Sequence, residues 1–323
     1  MSDRRVAVVG ATGAVGRTLL SVLDERDFPM AELRLMASAR SAGSVATTRW
    51  GEIEIEDLEL ADPEGVDIAI FSAGAERSRT HAPRFASAGA VVVDNSSAFR
   101  NDPAVPLVVA GVNDHAVSSH RGIVSNPNCT TMALMVAAGP LHRAAGIGRM
   151  VATSYQSVSG SGQRGMDELK NQIAGRPATD LYVRPIAYNV IPYAGTVTDA
   201  GYTDEEWKLV NESRKILDAP GLAVEPTCVR VPVMVGHSVA ATMHFSRPVL
   251  LEEALGILSE APGGELWIDR VPTPLDAAGK DTVLIGRVRQ TLGDEGGINL
   301  WVVGDNLRKG AALNAVQIAE LIS

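Results

Sequence analysis

The sequence predicts an α/β protein: a Rossmann-like, doubly wound parallel sheet, followed by an α+β domain for substrate positioning and subunit contact. Three observations predict it. An apolar run near the N-terminus, Val6-Ala7-Val8-Val9, enters a glycine-rich turn and then a helical pattern. Strand and helix patterns alternate from there to about residue 97, the order that builds a parallel sheet. Beyond residue 129 the alternation gives way to separate strand runs, and 323 residues are long for a single core. The expected domains are 1–128, completed by a C-terminal helix over 305–323, and 129–304.

Val6–Val9 has the continuous apolar character of a fully buried parallel strand. It leads into Gly10-Ala11-Thr12-Gly13-Ala14-Val15-Gly16 and a helix through Leu23. Glycines at 10, 13 and 16 permit a tight turn and let backbone approach a pyrophosphate at the helix N-terminus. The plain alternative is a glycine-rich turn with no ligand. Leu33–Ala37 reads as the second strand. Its end carries Ser38-Ala39-Arg40-Ser41 in place of the acidic residue that binds a ribose 2′-hydroxyl. A guanidinium flanked by two hydroxyls suits a 2′-phosphate and reads as NADP preference; the alternative is a solvated loop arginine.

Asp67–Phe71 predicts a further strand, Ser72-Ala73-Gly74 a turn, and the next residues a helix through about 88. Ala90–Val93 is a strand ending in Asp94-Asn95-Ser96-Ser97. Arg100 follows that strand end and can point into the ligand crevice, where an anion-binding role is open to it; an arginine in this position can also be a surface residue.

In Ser125-Asn126-Pro127-Asn128-Cys129-Thr130-Thr131, one of only two cysteines stands in the first turn of a long apolar helix. N–H groups and the positive end of the helix dipole favour thiolate there, and can also hold an oxyanion. The competing reading is a small buried residue behind an Asn128 cap. The second domain then shows strands at 151–158, 227–233, 239–245, 283–292 and 298–303. Helices are predicted at 163–174 and 204–217, with a terminal helical segment at 309–321 that returns to the first domain. Of six histidines, His237 follows Val231–Val235 at a glycine bend, where a side chain can face a cleft. His244 lies inside a strand; His81, His115, His120 and His142 lie in polar or helical surface contexts.

A net charge of −9 argues against nucleic-acid and anionic-membrane partners. Two cysteines make no disulfide framework and fit a reducing cytosol. No signal region or transmembrane-length apolar window is present, so a cytoplasmic protein is expected. Scattered histidines and distant cysteines give no metal-ligand spacing.

The chain resembles the aspartate-β-semialdehyde dehydrogenase family from end to end. The resemblance rests on Gly10–Gly16, Ser125–Thr131, Gln156-Ser157-Val158-Ser159-Gly160, Cys228-Val229-Arg230-Val231-Pro232 and Gly236-His237-Ser238, in family order. It implies NADPH-dependent reductive dephosphorylation of β-aspartyl phosphate to aspartate semialdehyde, the branch step towards lysine, methionine and threonine. It also implies a homodimer or a dimer of dimers. Under it, Cys129 forms a thioester, His237 is the acid/base, Gln156 orients the acyl group and Arg230 forks onto the α-carboxylate. Arg100 and Lys208 bind phosphate, with Glu205 on the same helical face as Lys208, and Asn128 joins this substrate set. Thr12, Gly13, Ala14, Val15, Arg40, Ser41, Ala73, Ser159, Gly160 and Asn306 contact the cofactor; Gly10 and Ser38 complete that set. A reductase of N-acetylglutamyl phosphate shares the fold plan, a thiol and a histidine, and a relative acting on a modified aspartyl phosphate is a further alternative. The Gln156–Gly160 motif and the Glu205/Lys208 pair favour the aspartyl substrate.

Overall fold

The computed structural model describes residues 4–178, 181–198, 200–293 and 296–322. They divide into two units, the first comprising residues up to Ala110, Asp114–Pro127 and those from Ala311 onward. The second comprises Gly111–Asn113 and Asn128–Gly310.

The first unit contains β1 (Arg5–Val9), α1 (Ala14–Glu25), β2 (Glu32–Ala37), β3 (Val45–Thr48), β4 (Gly51–Asp57), β5 (Ile68–Phe71), α2 (Ala75–Ser87), β6 (Val91–Asp94) and β7 (Ile123–Ser125). Among the described residues these strands form one sheet in the order β3-β4-β2-β1-β5-β6-β7. Every pairing is parallel except the β3–β4 hairpin. Val6–Val9 and Ile68–Phe71 are fully buried, as continuous apolar runs require of central parallel strands. The sequence reading did not anticipate β3 and β4, although Glu52-Ile53-Glu54-Ile55-Glu56 alternates with the period of a half-buried strand. Ile55 enters the core formed by Val6, Val8, Leu19, Leu23 and Leu35.

The helix Leu313–Ile322 belongs to this unit and delivers Leu313, Val316, Ile318 and Ala319 to the same core. Asn314, wholly buried, is satisfied there: it accepts from the Ala110 amide (2.9 Å) and donates to the Val108 carbonyl (2.9 Å) and Asn126 Oδ1 (2.6 Å). Arg308–Ala312, expected as regular helix, forms a wider π turn first.

The second unit contains α3 (Cys129–Ala145), β8 (Ile147–Gln156), α4 (Gly162–Ile173), α5 (Asp204–Ile216), β9 (Ala223–Arg230), β10 (His237–Phe245), α6 (Leu251–Ser259), β11 (Gly264–Trp267), α7 (Pro274–Ala277), β12 (Val283–Gln290) and β13 (Ile298–Gly304). Helix α3 is apolar nearly all round, so it is stable only as a buried element. It packs on β8, β10, β12 and β13 with Met132, Leu134, Met135, Val136 and Leu141 fully enclosed. Each such side chain contributes roughly 1.5–3 kcal/mol on burial.

The sheet order is β11-β12-β13-β10-β8-β9, with parallel pairs at both edges and antiparallel pairs between. Register decides where function can sit. Arg230 is paired with Gln156, Ser238 with Tyr155, and His237 with Gly304. The carboxyl ends of β8, β9 and β13 and the amino end of β10 therefore meet at one end of the sheet. The strand expected at 227–233 stops at Arg230, and residues 231–236 form the connection that brings His237 back to that end. No helix of the described residues is long and apolar enough to cross a membrane.

Candidate active site

Asn128 caps α3, and its Oδ1 accepts from the Thr130 amide at 3.0 Å. The cap uses one of the first-turn donors available to an oxyanion. Two carboxylates from one face of α5 hold Asn128 in turn. Glu212 takes its backbone N–H at 2.7 Å and Glu205 its side-chain amide at 3.0 Å. Cys129 is thus the first residue of a helix whose start is braced from outside. Gly310 crosses it so closely that an added Cβ would lie 2.9 Å from Cys129 Cβ. Gln156 donates to Thr130 Oγ1 at 2.8 Å, joining the end of β8 to this first turn.

His237 is buried, and its Nδ1 lies 3.1 Å from the Ser157 amide, which donates to it, and 3.0 Å from Ser157 Oγ. Burial, with the nearby Arg230 charge, pushes the imidazole down to about 3, so it is neutral at physiological pH. Arg230 donates from Nη1 to the Ser157 carbonyl at 2.7 Å and lies 5.8 Å from the centre of the Tyr182 ring. Its Nε is buried without a hydrogen-bond partner among the described residues. The guanidinium lines a cavity of about 180 Å³ with Ser161, Tyr182, Ile191, Tyr193 and Gly195. A Cβ at Gly160 would stand 2.9 Å from His237 Nε2 and 3.0 Å from Arg230 Nη1, so only glycine fits between the two.

Lys208 binds the carboxylates of Asp204, at 2.9 Å, and Glu205. Burial alone would lower its pKa, but the two carboxylates outweigh that and raise it. A phosphate recruited by Lys208 must share the ammonium with both. The second cysteine, Cys228, is wholly buried in β9, and burial pushes its thiol up to about 12. A thiol so held is inert.

In the first unit, Gly10 has φ +87°, and a Cβ there would lie 2.3 Å from the Ser72 carbonyl oxygen. At Gly16 a Cβ would lie 2.2 Å from the Gly10 oxygen. Gly13 is the N-cap of α1 and supplies no side-chain cap. The loop is thus compressed backbone opening onto helix amides, a cradle that fits a pyrophosphate. Thr12 Oγ1 stands 3.5 Å from Ser41 Oγ, so the loop and the end of β2 are neighbours; Arg40 is exposed and Ser38 partly buried beside it. The Ser72-Ala73-Gly74 turn follows β5. Arg100 lies in this unit too, buried, donating to the carbonyls of Asn95 (2.7 Å) and Asn126 (2.8 Å) just past β6 and β7. Asp94, at the end of β6, is buried and its pKa raised by that burial, against hydrogen bonds from Ser78 and Ser96.

Two family models match the chain: the semialdehyde dehydrogenase NAD-binding domain over residues 5–120 and the semialdehyde dehydrogenase dimerisation domain over 139–309. The aspartate-semialdehyde dehydrogenase of Mycolicibacterium smegmatis is 52% identical, with 98% of each chain covered. The chain belongs to the aspartate-semialdehyde dehydrogenase family. A crystal structure of aspartate semialdehyde dehydrogenase II from Vibrio cholerae, complexed with ASA, superposes with a TM-score of 0.97 at 47% identity. It covers 100% of this chain and 98% of its own. The aspartate-semialdehyde dehydrogenase of Streptomyces akiyoshiensis is 51% identical over 99% of this chain and 98% of its own.

Within this member of the aspartate-semialdehyde dehydrogenase family, Cys129, Asn128, Gln156, Ser159, Gly160, Glu205, Lys208, Arg230, His237 and Asn306 all lie in the second unit. Gly10, Thr12–Val15, Ser38, Arg40, Ser41, Ala73 and Arg100 lie in the first. One surface expectation is corrected: His81 is 3% exposed, packed inside α2 against Glu59, because that helix turns its Ser78, His81, Ala82 and Phe85 face inward. Glu212 was not singled out beforehand. The available signal was its spacing of seven from Glu205, which puts both carboxylates on one helical face.

Proposed function

We propose that this chain catalyses the reversible, NADPH-dependent reductive dephosphorylation of L-aspartyl β-phosphate to L-aspartate β-semialdehyde, through a thioester on Cys129. The observation that carries this reading is Arg230. A buried guanidinium with an unsatisfied Nε, lining a cavity, is costly unless an anion completes it. The α-carboxylate of an aspartyl substrate supplies that anion and would fix the acyl group beside the first turn of α3.

Cys129 sulfur attacks the acyl carbon, and the C–O bond to phosphate breaks with its electron pair on the departing phosphate, which takes a proton from solvent. The resulting thioester accepts hydride more readily than a carboxylate does. The Gly10–Gly16 loop, Ser38, Arg40, Ser41 and Ala73 of the first unit, and Ser159, Gly160 and Asn306 of the second, are the residues that would hold NADPH, which would supply the hydride. Gln156 orients the acyl oxygen, Glu205 and Asn128 hold the substrate side of the site, and Arg100 with Lys208 receives phosphate. His237, as the acid/base, takes the Cys129 proton when sulfur attacks and returns it when the thiolate departs.

The decisive assay is phosphate-dependent NADP reduction with aspartate semialdehyde, run beside N-acetylglutamate semialdehyde. Turnover of the first at least about a hundredfold above the second is expected; the reverse preference would overturn the reading. NADP preference rests on Arg40, whose loss removes a charge-assisted contact of roughly 1.5–3 kcal/mol. Arg40→Ala should therefore erase most of the difference in KM between NADP and NAD.

A homodimer is part of the same reading. The face of the second sheet opposite α3 carries the partly exposed Val151, Thr153, Tyr155, Thr242 and Trp301, with the Tyr155 and Trp301 rings 5.3 Å apart. A second copy of the chain would cover that face, and sedimentation of wild type against Tyr155→Glu tests it.

A further inference from the structure

We propose that Asn126 is a positioning residue for phosphate: its side-chain amide clasps Asn95 and thereby sets the Arg100 guanidinium that receives the anion. This deepens the reading above and rests on its assignment of phosphate to Arg100.

The inference starts from how Arg100 is held. Its Nη2 donates to the Asn95 carbonyl, just past β6, and its Nε to the Asn126 carbonyl, just past β7. The plane of the guanidinium is therefore set by two backbone points on two different loops. The ladder between β6 and β7 ends at Asp94 and Ser125, and one further backbone bond follows, from the Asn126 amide to the Asp94 carbonyl at 2.8 Å. The two carbonyls that hold Arg100 lie beyond that last rung. Across this gap Asn126 Nδ2 donates to Asn95 Oδ1.

The direction of this clasp is fixed from the far side. The Ala110 amide can only donate, so the Asn314 atom 2.9 Å from it is oxygen. Asn314 Nδ2 then faces the Val108 carbonyl, which can only accept, and Asn126 Oδ1 at 2.6 Å. Asn126 must accordingly turn its Nδ2 towards Asn95, and the Ala311 carbonyl on that side, at 3.3 Å, also accepts from it. Each amide orientation follows from a backbone group with one possible role. Asn126 is 1% exposed and Asn314 wholly buried. The arrangement leaves Asn95 Nδ2 buried with no partner among the described residues. A clasp that strands a donor adds little stability; its effect is on where the guanidinium sits.

A planar fork grips phosphate only when correctly turned, and displacement by about 1 Å can cost around a hundredfold. Opening the clasp should therefore weaken phosphate and leave the cofactor alone.

The test is steady-state NADP reduction with aspartate semialdehyde at varied inorganic phosphate, beside calorimetric titration of the enzyme with inorganic phosphate alone. Asn126→Ala and Asn95→Ala should each raise the phosphate KM and Kd at least about tenfold, with kcat at saturating phosphate and the NADP KM within about twofold of wild type. The double variant should be no worse than either single one, because both break the same bond. In an Arg100→Ala background, Asn126→Ala should add nothing. Should Asn126→Ala prove unfolded by circular dichroism, Asn95→Ala, at a partly exposed residue, carries the test. Unchanged phosphate constants in the clasp variants overturn the proposal, as do additive defects or an NADP KM that rises in parallel. Phosphate binding indifferent to Arg100→Ala overturns it together with the role given to Arg100. An enzyme inactive on aspartate semialdehyde whose phosphate titration still depends on Arg100 and Asn126 would sink the functional reading and leave the clasp standing.

Discussion

Two glycine-bearing turns, one in each unit, are built on opposite plans. At Gly10–Gly16 the backbone itself is the working surface: carbonyl oxygens 2.2–2.3 Å from where Cβ atoms would lie leave no room for side chains. At Ser157–Gly160 the turn is a frame for side chains, and Gly160 is small so that His237 and Arg230 can flank it. The first turn is a local object of seven residues. The second is the meeting point of four strands and a helix. Function built from backbone is written in a short motif; function built from side chains is written in the register of a sheet.

The largest expected effect divides the two thiols. Cys129→Ser should lower kcat by at least about 10²-fold with NADP binding intact, the loss of a nucleophile. Cys228→Ala should leave kcat within about twofold, and equal damage from the two changes would erase the distinction drawn from burial. Next come the turns themselves. Gly160→Ala should cost about a hundredfold in kcat/KM with little change in Tm, because it displaces groups placed to within about 1 Å. Gly16→Ala should instead lose about 1–3 kcal/mol of stability by overpacking backbone, read from denaturant midpoints. A stability loss at Gly160 with activity kept would reverse the comparison.

Arg230→Lys tests the geometry of the second turn alone. Charge survives but the planar fork does not, so kcat/KM should fall by about a hundredfold, with the loss in single-turnover acylation. The smallest effect is on stability against pH. His237 has its pKa lowered from 6.5 to about 3 on folding, so below 6.5 the unfolded chain binds the proton and the native state does not. That contribution is fully present above pH 6.5 and is lost progressively as pH falls towards 3. At pH 5 the loss amounts to about 2 kcal/mol. Urea midpoints at pH 7 and 5 should therefore converge in His237→Gln relative to wild type.

The contrast also explains what the sequence made legible. The loop at Gly10–Gly16, the strand–helix alternation and the placing of Cys129 behind Asn128 are contiguous, so local pattern sufficed. The β3–β4 hairpin was legible in principle from the Glu–Ile alternation of residues 52–56. The joining of Arg230 to Ser157, of Asn306 to Gly236, and of Glu212 to Asn128 spans 70 residues or more in each case. No periodicity records such pairings. They follow from which strands end together, and strand order is fixed only when the sheet is assembled.

The helix Leu313–Ile322 carries a consequence for how the chain comes into being. A ribosome delivers the first unit's sheet early, yet the residues that seal its core, and Asn314 that satisfies the carbonyl of Val108, emerge only after the whole second unit has been made. The nascent sheet must wait with one apolar flank uncovered while α3 and its strands, contiguous in synthesis, can already close. The domain begun first is the one finished last.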